Sequence, residues 1–192
     1  GTWQPISGNP NGVVLDPAVA WTGYAALVVG GHGLGGEPVD GAAKYFPAAD
    51  TWEPIAPPPP GFTTPVRVDS LSVWTGTEML VIGGHTLDET SALGQRLDGG
   101  FAYDLASDSW RTIATEPCNR IDVRRPWAWT GSELLVWPGT DSDGQPPVTN
   151  ARAFDPTSDT WRVLPAAPIA PRQDAASVWT GSEWVIWGGT DL

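Results

Sequence analysis

The run from Ser177 to Thr190, SVWTGSEWVIWGGT, recurs three times upstream, as AWTGYAALVVGGH from Ala20, VWTGTEMLVIGGH from Val73 and AWTGSELLVWPGT from Ala128. The Trp-Thr-Gly triplets start at residues 21, 74, 129 and 179, so the steps are 53, 55 and 50 residues. A period of about 50 residues marks an array or a propeller, built from supersecondary units that cannot bury their apolar faces alone. Any fold proposed for this chain must stack at least three such units.

A second motif runs in phase with the first. Thr51-Trp52-Glu53-Pro54-Ile55 matches Ser109-Trp110-Arg111-Thr112-Ile113, Thr160-Trp161-Arg162-Val163-Leu164 and the opening Thr2-Trp3-Gln4-Pro5-Ile6. Trp52, Trp110 and Trp161 each follow an aspartate by two residues (Asp50, Asp108, Asp159), behind the segments KYFPAAD, AYDLASD and AFDPTSD. Short apolar runs bounded by Gly, Pro, Asp and Ser read as strands. Each unit therefore carries four: A ends at Trp-Thr-Gly, B ends at the glycine pair, C holds Tyr45, Tyr103 or Phe154, and D starts at the second Trp. In Asp155-Pro156-Thr157-Ser158-Asp159 the Asp side chain folds back on the backbone while Pro presets φ for the C-to-D reversal. Thr180-Gly181-Ser182 does the same between A and B.

A strand ending in Gly-Gly (Gly30-Gly31, Gly83-Gly84, Gly188-Gly189), a tyrosine-bearing strand and a later Trp (Trp52, Trp110, Trp161) resemble the kelch repeat of galactose-oxidase-like β-propellers. The resemblance covers essentially the whole chain. A WD-type array has a shorter period and a Trp-Asp strand end that this sequence lacks. The resemblance implies an all-β propeller of four-stranded antiparallel blades, with strand A lining a central channel and D outermost. It divides the chain into an outer strand of a preceding blade (1–12), blades at 13–58, 59–116 and 117–167, and the first two strands of a further blade (168–192).

One D strand, three ABCD sets and a final A and B make 15 expected strands. Kelch propellers usually hold six or seven blades, so the chain looks like a segment of a longer ring with unpaired cut edges through which it could self-associate. Two alternatives stay open: a four-bladed ring closed by A and B with the N-terminal D, or two chains completing one ring. Pro138 replaces the first glycine of the pair in the third blade. Proline fixes φ near −65°, so Gly139, with Gly31, Gly84 and Gly189, is the position expected to need positive φ. Phe154 drops the hydroxyl that Tyr45 and Tyr103 carry.

Composition fits this class and restricts partners. With 23 Gly, 20 Pro and 12 Trp, the 192 residues are heavily punctuated yet rich in core material. Burying one aromatic ring removes about 150–250 Å² from water, gross stabilisation of about 4–6 kcal/mol. A formal charge of −12, with Lys44 the sole lysine, leaves no basic stripe for a phosphate backbone or an anionic membrane. The acidity serves solubility or attracts cations. No apolar run approaches the ~20 residues of a membrane span, and no signal-like segment opens the chain at Gly1. Cys118 is the lone cysteine and forms no internal disulfide. Secretion or a cell-surface location is implied only by the family resemblance.

Strand parity puts the A-to-B and C-to-D turns on one face and the long, dissimilar B-to-C and D-to-A connections on the other. Ligands are expected on the second face, where loops stand on a rigid scaffold. His32 and His85 follow the glycine pair at equivalent positions there; imidazole ligates metals, but adjacent blades hold the two apart, and the plainer reading is an exposed loop residue. Asp16, Asp69 and Asp174, with Arg124 in the third blade, stand five residues before each repeat Trp. They would ring one mouth of the channel and hold a cation or polar ligand, or merely face water. Asp141-Ser142-Asp143-Gly144 lacks the later ligands of a calcium loop and reads as a turn.

No metal set, cofactor or catalytic group is assigned. Copper-radical chemistry of the galactose oxidase kind needs a Cys-linked tyrosine with further Tyr and His ligands; Tyr45 and Tyr103 fill the repeat's structural slot and Tyr24 sits in an A-to-B turn on the face opposite both histidines, so the ligands do not converge. The expected function is a scaffold that binds a protein or carbohydrate partner. The rival is a fragment of a secreted carbohydrate-active or oxidase-like enzyme whose reactive groups lie largely elsewhere.

Overall fold

A computed structural model of the chain describes residues 2–62, 67–87, 94–97, 99–117, 125–137 and 150–191. These residues contain strands and turns and no helix. Strands β1 (Ala18–Trp21), β2 (Ala26–Val29), β3 (Ala42–Phe46) and β4 (Thr51–Pro54) form one antiparallel sheet in chain order. A two-stranded ladder of β5 (Arg67–Val68) and β8 (His85–Thr86) is interleaved with a second four-stranded sheet of β6 (Leu71–Trp74), β7 (Glu78–Ile82), β9 (Gly100–Asp104) and β10 (Ser109–Ile113). The third sheet holds β11 (Trp127–Trp129), β12 (Leu134–Val136), β13 (Arg152–Asp155) and β14 (Thr160–Val163). Last, β15 (Arg172–Trp179) pairs with β16 (Trp184–Asp191). The four sequence units are thus three four-stranded sheets and one pair, here called units 1 to 4.

Two differences from the expected strands have a common cause. Residues 2–6 form no strand, because an outer strand needs a neighbour to pair with and none of the described residues supplies one. The unexpected β5 and β8 arise because the chain keeps pairing past the glycine corner, joining Val68 to His85.

The repeated Trp-Thr-Gly is a turn device. In β6 to β7 the Thr75 hydroxyl donates to the Glu78 carbonyl (3.0 Å) and accepts the Glu78 N–H (2.9 Å). Thr22, Thr130 and Thr180 do the same with Ala25, Glu133 and Glu183. The following glycine takes φ of 102° to 111°, a region closed to most side chains.

Strand alternation gives each sheet two apolar faces, and the units stack face to face. Leu27, Val29, Ala18 and Ala20 of unit 1 meet Met79, Val81 and Tyr103 of unit 2 in one core. Leu71, Val73, Leu80 and Ile82 on the other face of unit 2 meet Leu134, Val136 and Phe154 of unit 3. Trp137 of unit 3 packs edge-on against Trp184 of unit 4, with centroids 5.6 Å apart. Each such buried aliphatic side chain contributes about 1.5–3 kcal/mol.

A polar clamp ties each of units 1 to 3 to the segment that precedes it. The Asp50 carboxylate accepts the Ser7 N–H (2.8 Å) while the Trp52 indole N–H donates to the Ser7 carbonyl (2.9 Å). Asp108 and Trp110 grip Ala56 in the same way, at 2.8 and 2.9 Å. Asp159 and Trp161 grip Ala114, at 3.0 and 2.8 Å. All three aspartates lie in the left-handed region, with φ of 52°, 49° and 53°. Asp tolerates that conformation better than most residues, and the bend aims its carboxylate backwards along the array. The Tyr45 and Tyr103 hydroxyls donate to Asp50 and Asp108 at 2.7 and 2.6 Å. Where Phe154 lacks the hydroxyl, Arg111 reaches Asp159 from the preceding unit (3.5 Å) while forking onto Glu78 through two 2.8 Å hydrogen bonds.

These bonds shift the acids in a known direction. The Ser7 and Ala56 amides first, then the tyrosine hydroxyls, hold Asp50 and Asp108 below the ordinary carboxylate value. Burial, followed by the Asp108 carboxylate, pushes the Tyr103 hydroxyl well above its usual range. A carboxylate whose folded value is depressed contributes stability that is present above the unfolded value near 3.8 and is lost as pH falls through the folded one. Unfolding followed by Trp fluorescence is therefore expected to begin as pH drops below about 4, and Asp108→Asn should flatten that dependence. Trp110→Phe removes the bond to Ala56 together with part of the ring packed against Phe62 and Tyr103, and should cost at least about 0.5–1.5 kcal/mol in a urea titration.

Candidate functional site

The described residues singled out for function gather at one corner of units 1, 2 and 4. After strand B the two glycines turn the chain back toward the segment that precedes strand A. In unit 1 the Leu15 N–H donates to the His32 carbonyl (2.8 Å) and the His32 N–H donates to the Leu15 carbonyl (3.0 Å). In unit 2 the equivalent pair is Val68 with His85. In unit 4 it is Gln173 with Thr190. The next residue in each case is Asp16, Asp69 or Asp174, all left-handed with φ of 49°, 55° and 55°.

This bend carries each aspartate to its own histidine. Asp16 Oδ2 lies 3.3 Å from His32 Nε2, and Asp69 Oδ2 lies 3.9 Å from His85 Nδ1. His32 Nδ1 is also 2.9 Å from the Gly33 carbonyl, so both ring nitrogens face oxygen atoms. The two candidate sets, treated as separate in the sequence, are thus one set of Asp–His pairs repeated in units 1 and 2. Thr190 leaves Asp174 without an imidazole at that position. Arg124, Gly139, Pro138, Thr140, Cys118 and the Asp141 to Gly144 turn lie outside the described residues. Among the described residues no three His, Cys, Asp or Glu side chains group as metal ligands would.

Two expectations need correction. His85 is not an exposed loop residue: it sits in β8 at 4% exposure, and the His32 side chain is 12% exposed. Pairing with the strand-A approach draws both histidines under the corner. The first glycine of the pair also needs positive φ, at 63°, 66° and 74° for Gly30, Gly83 and Gly188. The proline at 138 is thus a local departure and does not show what the other units tolerate. The second glycine carries a further restriction. A Cβ on Gly84 or Gly189 would stand 2.5 Å from the Val68 or Gln173 carbonyl oxygen, and one on Gly31 would strike the Leu15 carbonyl.

Arg67 is the residue missed from the sequence. It is 4% exposed, hydrogen-bonds the Gly83 carbonyl, and lies over the rings of Phe62 (5.8 Å) and Phe101 (5.6 Å). Arg172 stands in the same register and donates to the Gly188 carbonyl at 2.6 Å. The signal was available, since both arginines precede their repeat Trp by seven residues. It went unread because units 1 and 3 carry Val14 and Asp122 there.

Among the described residues, concavities also occur away from this corner. A groove of about 420 Å³ runs between β11 and β15, lined by Arg125, Trp127, Trp129, Ser177 and Trp179. The Ser177 hydroxyl spans it to the Trp127 carbonyl at 2.6 Å. A cleft of about 300 Å³ lies among short turns, between Thr77, Glu78, Gly131, Ser132 and Pro156. The second lies on the face from which sequence reasoning expected least.

No protein-family model matches the chain, and no curated protein matches it. Among the solved structures that do, one described as YjhT superposes with a TM-score of 0.67 at 16% identity, covering 94% of this chain and 59% of that one. The chain therefore spans about three fifths of that structure's length. At that identity the likeness is one of fold: an all-β array of four-stranded antiparallel sheets.

The glycine corner yields an ordered pair of substitutions. Gly188→Ala meets open space and only the left-handed backbone cost of roughly 1–2 kcal/mol. Gly189→Ala adds the collision with the Gln173 carbonyl and should lower the urea midpoint further; an equal or smaller loss at Gly189 would show that the corner relaxes.

Proposed function

We propose that the chain is a kelch-like β-propeller segment that binds a protein or carbohydrate partner through the face bearing its B-to-C and D-to-A connections. The observation that carries this reading is the inequality of the two faces. On one, every Trp-Thr-Gly turn spends its hydroxyl and amides on itself, with the same bonds in all four units. On the other, the connections differ in length and composition from unit to unit, as HGLGGEPVDGAAK, HTLDETSALGQRLDGG and TDSDGQPPVTN do. A scaffold that repeats strictly on one side and varies on the other leaves the varied side open to recognition. The fold likeness to YjhT and the stacking of units through both sheet faces support the propeller part. In this reading Asp16, Asp69, Arg124, Asp174, His32 and His85 border the binding face, with the Asp–His pairs stiffening the loops that follow.

The test uses the intact chain on a printed oligosaccharide array and, in parallel, as bait for crosslinking to cell-surface proteins. A variant whose residues 141–147 are replaced by a short Gly-Ser linker should lose whatever binding the wild type shows while keeping its thermal midpoint. Unchanged binding in that variant and in an equivalent one lacking residues 88–93 would remove the long-connection face from consideration.

A further inference from the structure

The cleft of about 300 Å³ among the short turns lies at the junction of units 2 and 3, which is joined differently from its neighbours. Ser72 ties its strand A to Val19 of the unit before (2.9 Å), and Ser177 does the same to Trp127 (2.6 Å). At the equivalent place in unit 3 stands Trp127, which has no hydroxyl and instead packs its ring on the core shared with unit 2. Strands β6 and β11 approach less closely than β1 and β6 or β11 and β15 do. The cleft occupies the turn end of that junction, with Thr77 and Glu78 of unit 2 on one side and Ser132 and Pro156 of unit 3 on the other. Its lining residues all belong to units 2 and 3, each of which has a further unit beyond it.

The lining combines an aromatic residue with hydrogen-bonding groups that the fold has not used up. Trp129, half-buried, rests on the core between the two units and borders the cleft. Glu78, its side chain 16% exposed, takes one 2.8 Å bond from Arg111 on each oxygen, which leaves a second lone pair on each. Arg111 also reaches the Pro156 carbonyl at 3.4 Å, so the ion pair is fixed from both units. Among the described residues the Thr77 and Ser132 hydroxyls meet only Thr75 and Thr130 Oγ1, at 3.5 and 3.4 Å, the outer limit of a hydrogen bond. The balance of charge is negative, since the one guanidinium answers both Glu78 and Asp159. Unit 1 has Tyr24 and Ala25 in the places of Thr77 and Glu78, so its junction with unit 2 does not repeat this set.

We propose that the cleft binds a single uncharged pyranose ring. Its volume stands at the lower end of ligand pockets, about 300 Å³, the scale of one small molecule. The C–H face of a pyranose is apolar and suits an indole, while its rim of adjacent hydroxyls suits a fixed carboxylate flanked by two side-chain hydroxyls. An acidic sugar would bring a second anion against Glu78 and Asp159 and is disfavoured. This site is additional to the long-connection face and lies on the opposite side of the array.

Saturation-transfer NMR on the intact chain with the methyl pyranosides of glucose, galactose and mannose should show transfer to the ring C–H protons of at least one, and none to glucuronic acid. Thr77→Ala combined with Ser132→Ala, both at exposed positions, should weaken that binding about fivefold or more, the change that two hydrogen bonds at the low end of their usual worth amount to. An unaltered urea midpoint confirms that the double variant keeps its fold. The variant with a Gly-Ser linker in place of residues 141–147 should bind these sugars as the wild type does, which separates this site from the long-connection face. Absence of transfer to all three neutral sugars, equal binding of glucuronic acid, undiminished affinity in the double variant, or loss of binding in the linker variant would each overturn the proposal.

Discussion

The array depends on a grip that each of units 1 to 3 takes on the backbone of the segment before it. One carboxylate and one indole N–H close on the amide and carbonyl of a single residue, Ser7, Ala56 or Ala114. Apolar faces alone would hold neighbouring sheets together but allow them to slide, since hydrophobic attraction is not directional. The clamp is directional and occurs once in each of units 1 to 3 at the outer strand, while serine hydroxyls tie some strand-A neighbours at the opposite edge, as Ser72 does to Val19 (2.9 Å). Position and angle between units are therefore set at both edges of the sheet, and the core fills what lies between.

The left-handed aspartates show how one backbone conformation serves two purposes. Asp50, Asp108 and Asp159 use it to direct carboxylates at the preceding unit, whereas Asp16 and Asp69 use it to turn carboxylates toward the histidine that follows the glycine pair. A second glycine shaped by the carbonyl before each of those aspartates completes the corner. Glycines, aspartates and histidines that recur in register are thus parts of one local structure, and recurrence is a mark of scaffold as much as of site.

That distinction explains what could be read from residues alone. Strand order within the units, turn chemistry and the place of Trp52, Trp110 and Trp161 at the start of the outer strand were legible, because period and turn residues encode local geometry directly. The pairing of Asp16 with His32 was not, since it depends on a backbone bend that aspartate permits but does not announce. Burial of His85 was equally invisible, because it follows from a ladder continuing through the glycine corner. The replacement of the missing Tyr hydroxyl beside Asp159 by Arg111 involves a side chain one unit away, and no spacing rule reaches that far. The candidate binding residues keep their sequence-based status, with Arg124 beyond the described residues and the remaining five placed at the corner.

Because the clamp reads main-chain atoms, the residue it holds is nearly free to vary, and serine and alanine both occupy the place. A unit copied by gene duplication would thus dock on almost any predecessor without a matching change in that predecessor's side chains. Only proline would silence half of the grip, having no N–H to offer. An architecture joined in this way can gain or lose members by recombination more readily than one joined by side-chain pairs, which must change together. Divergence is then concentrated in the connections that the joint does not touch.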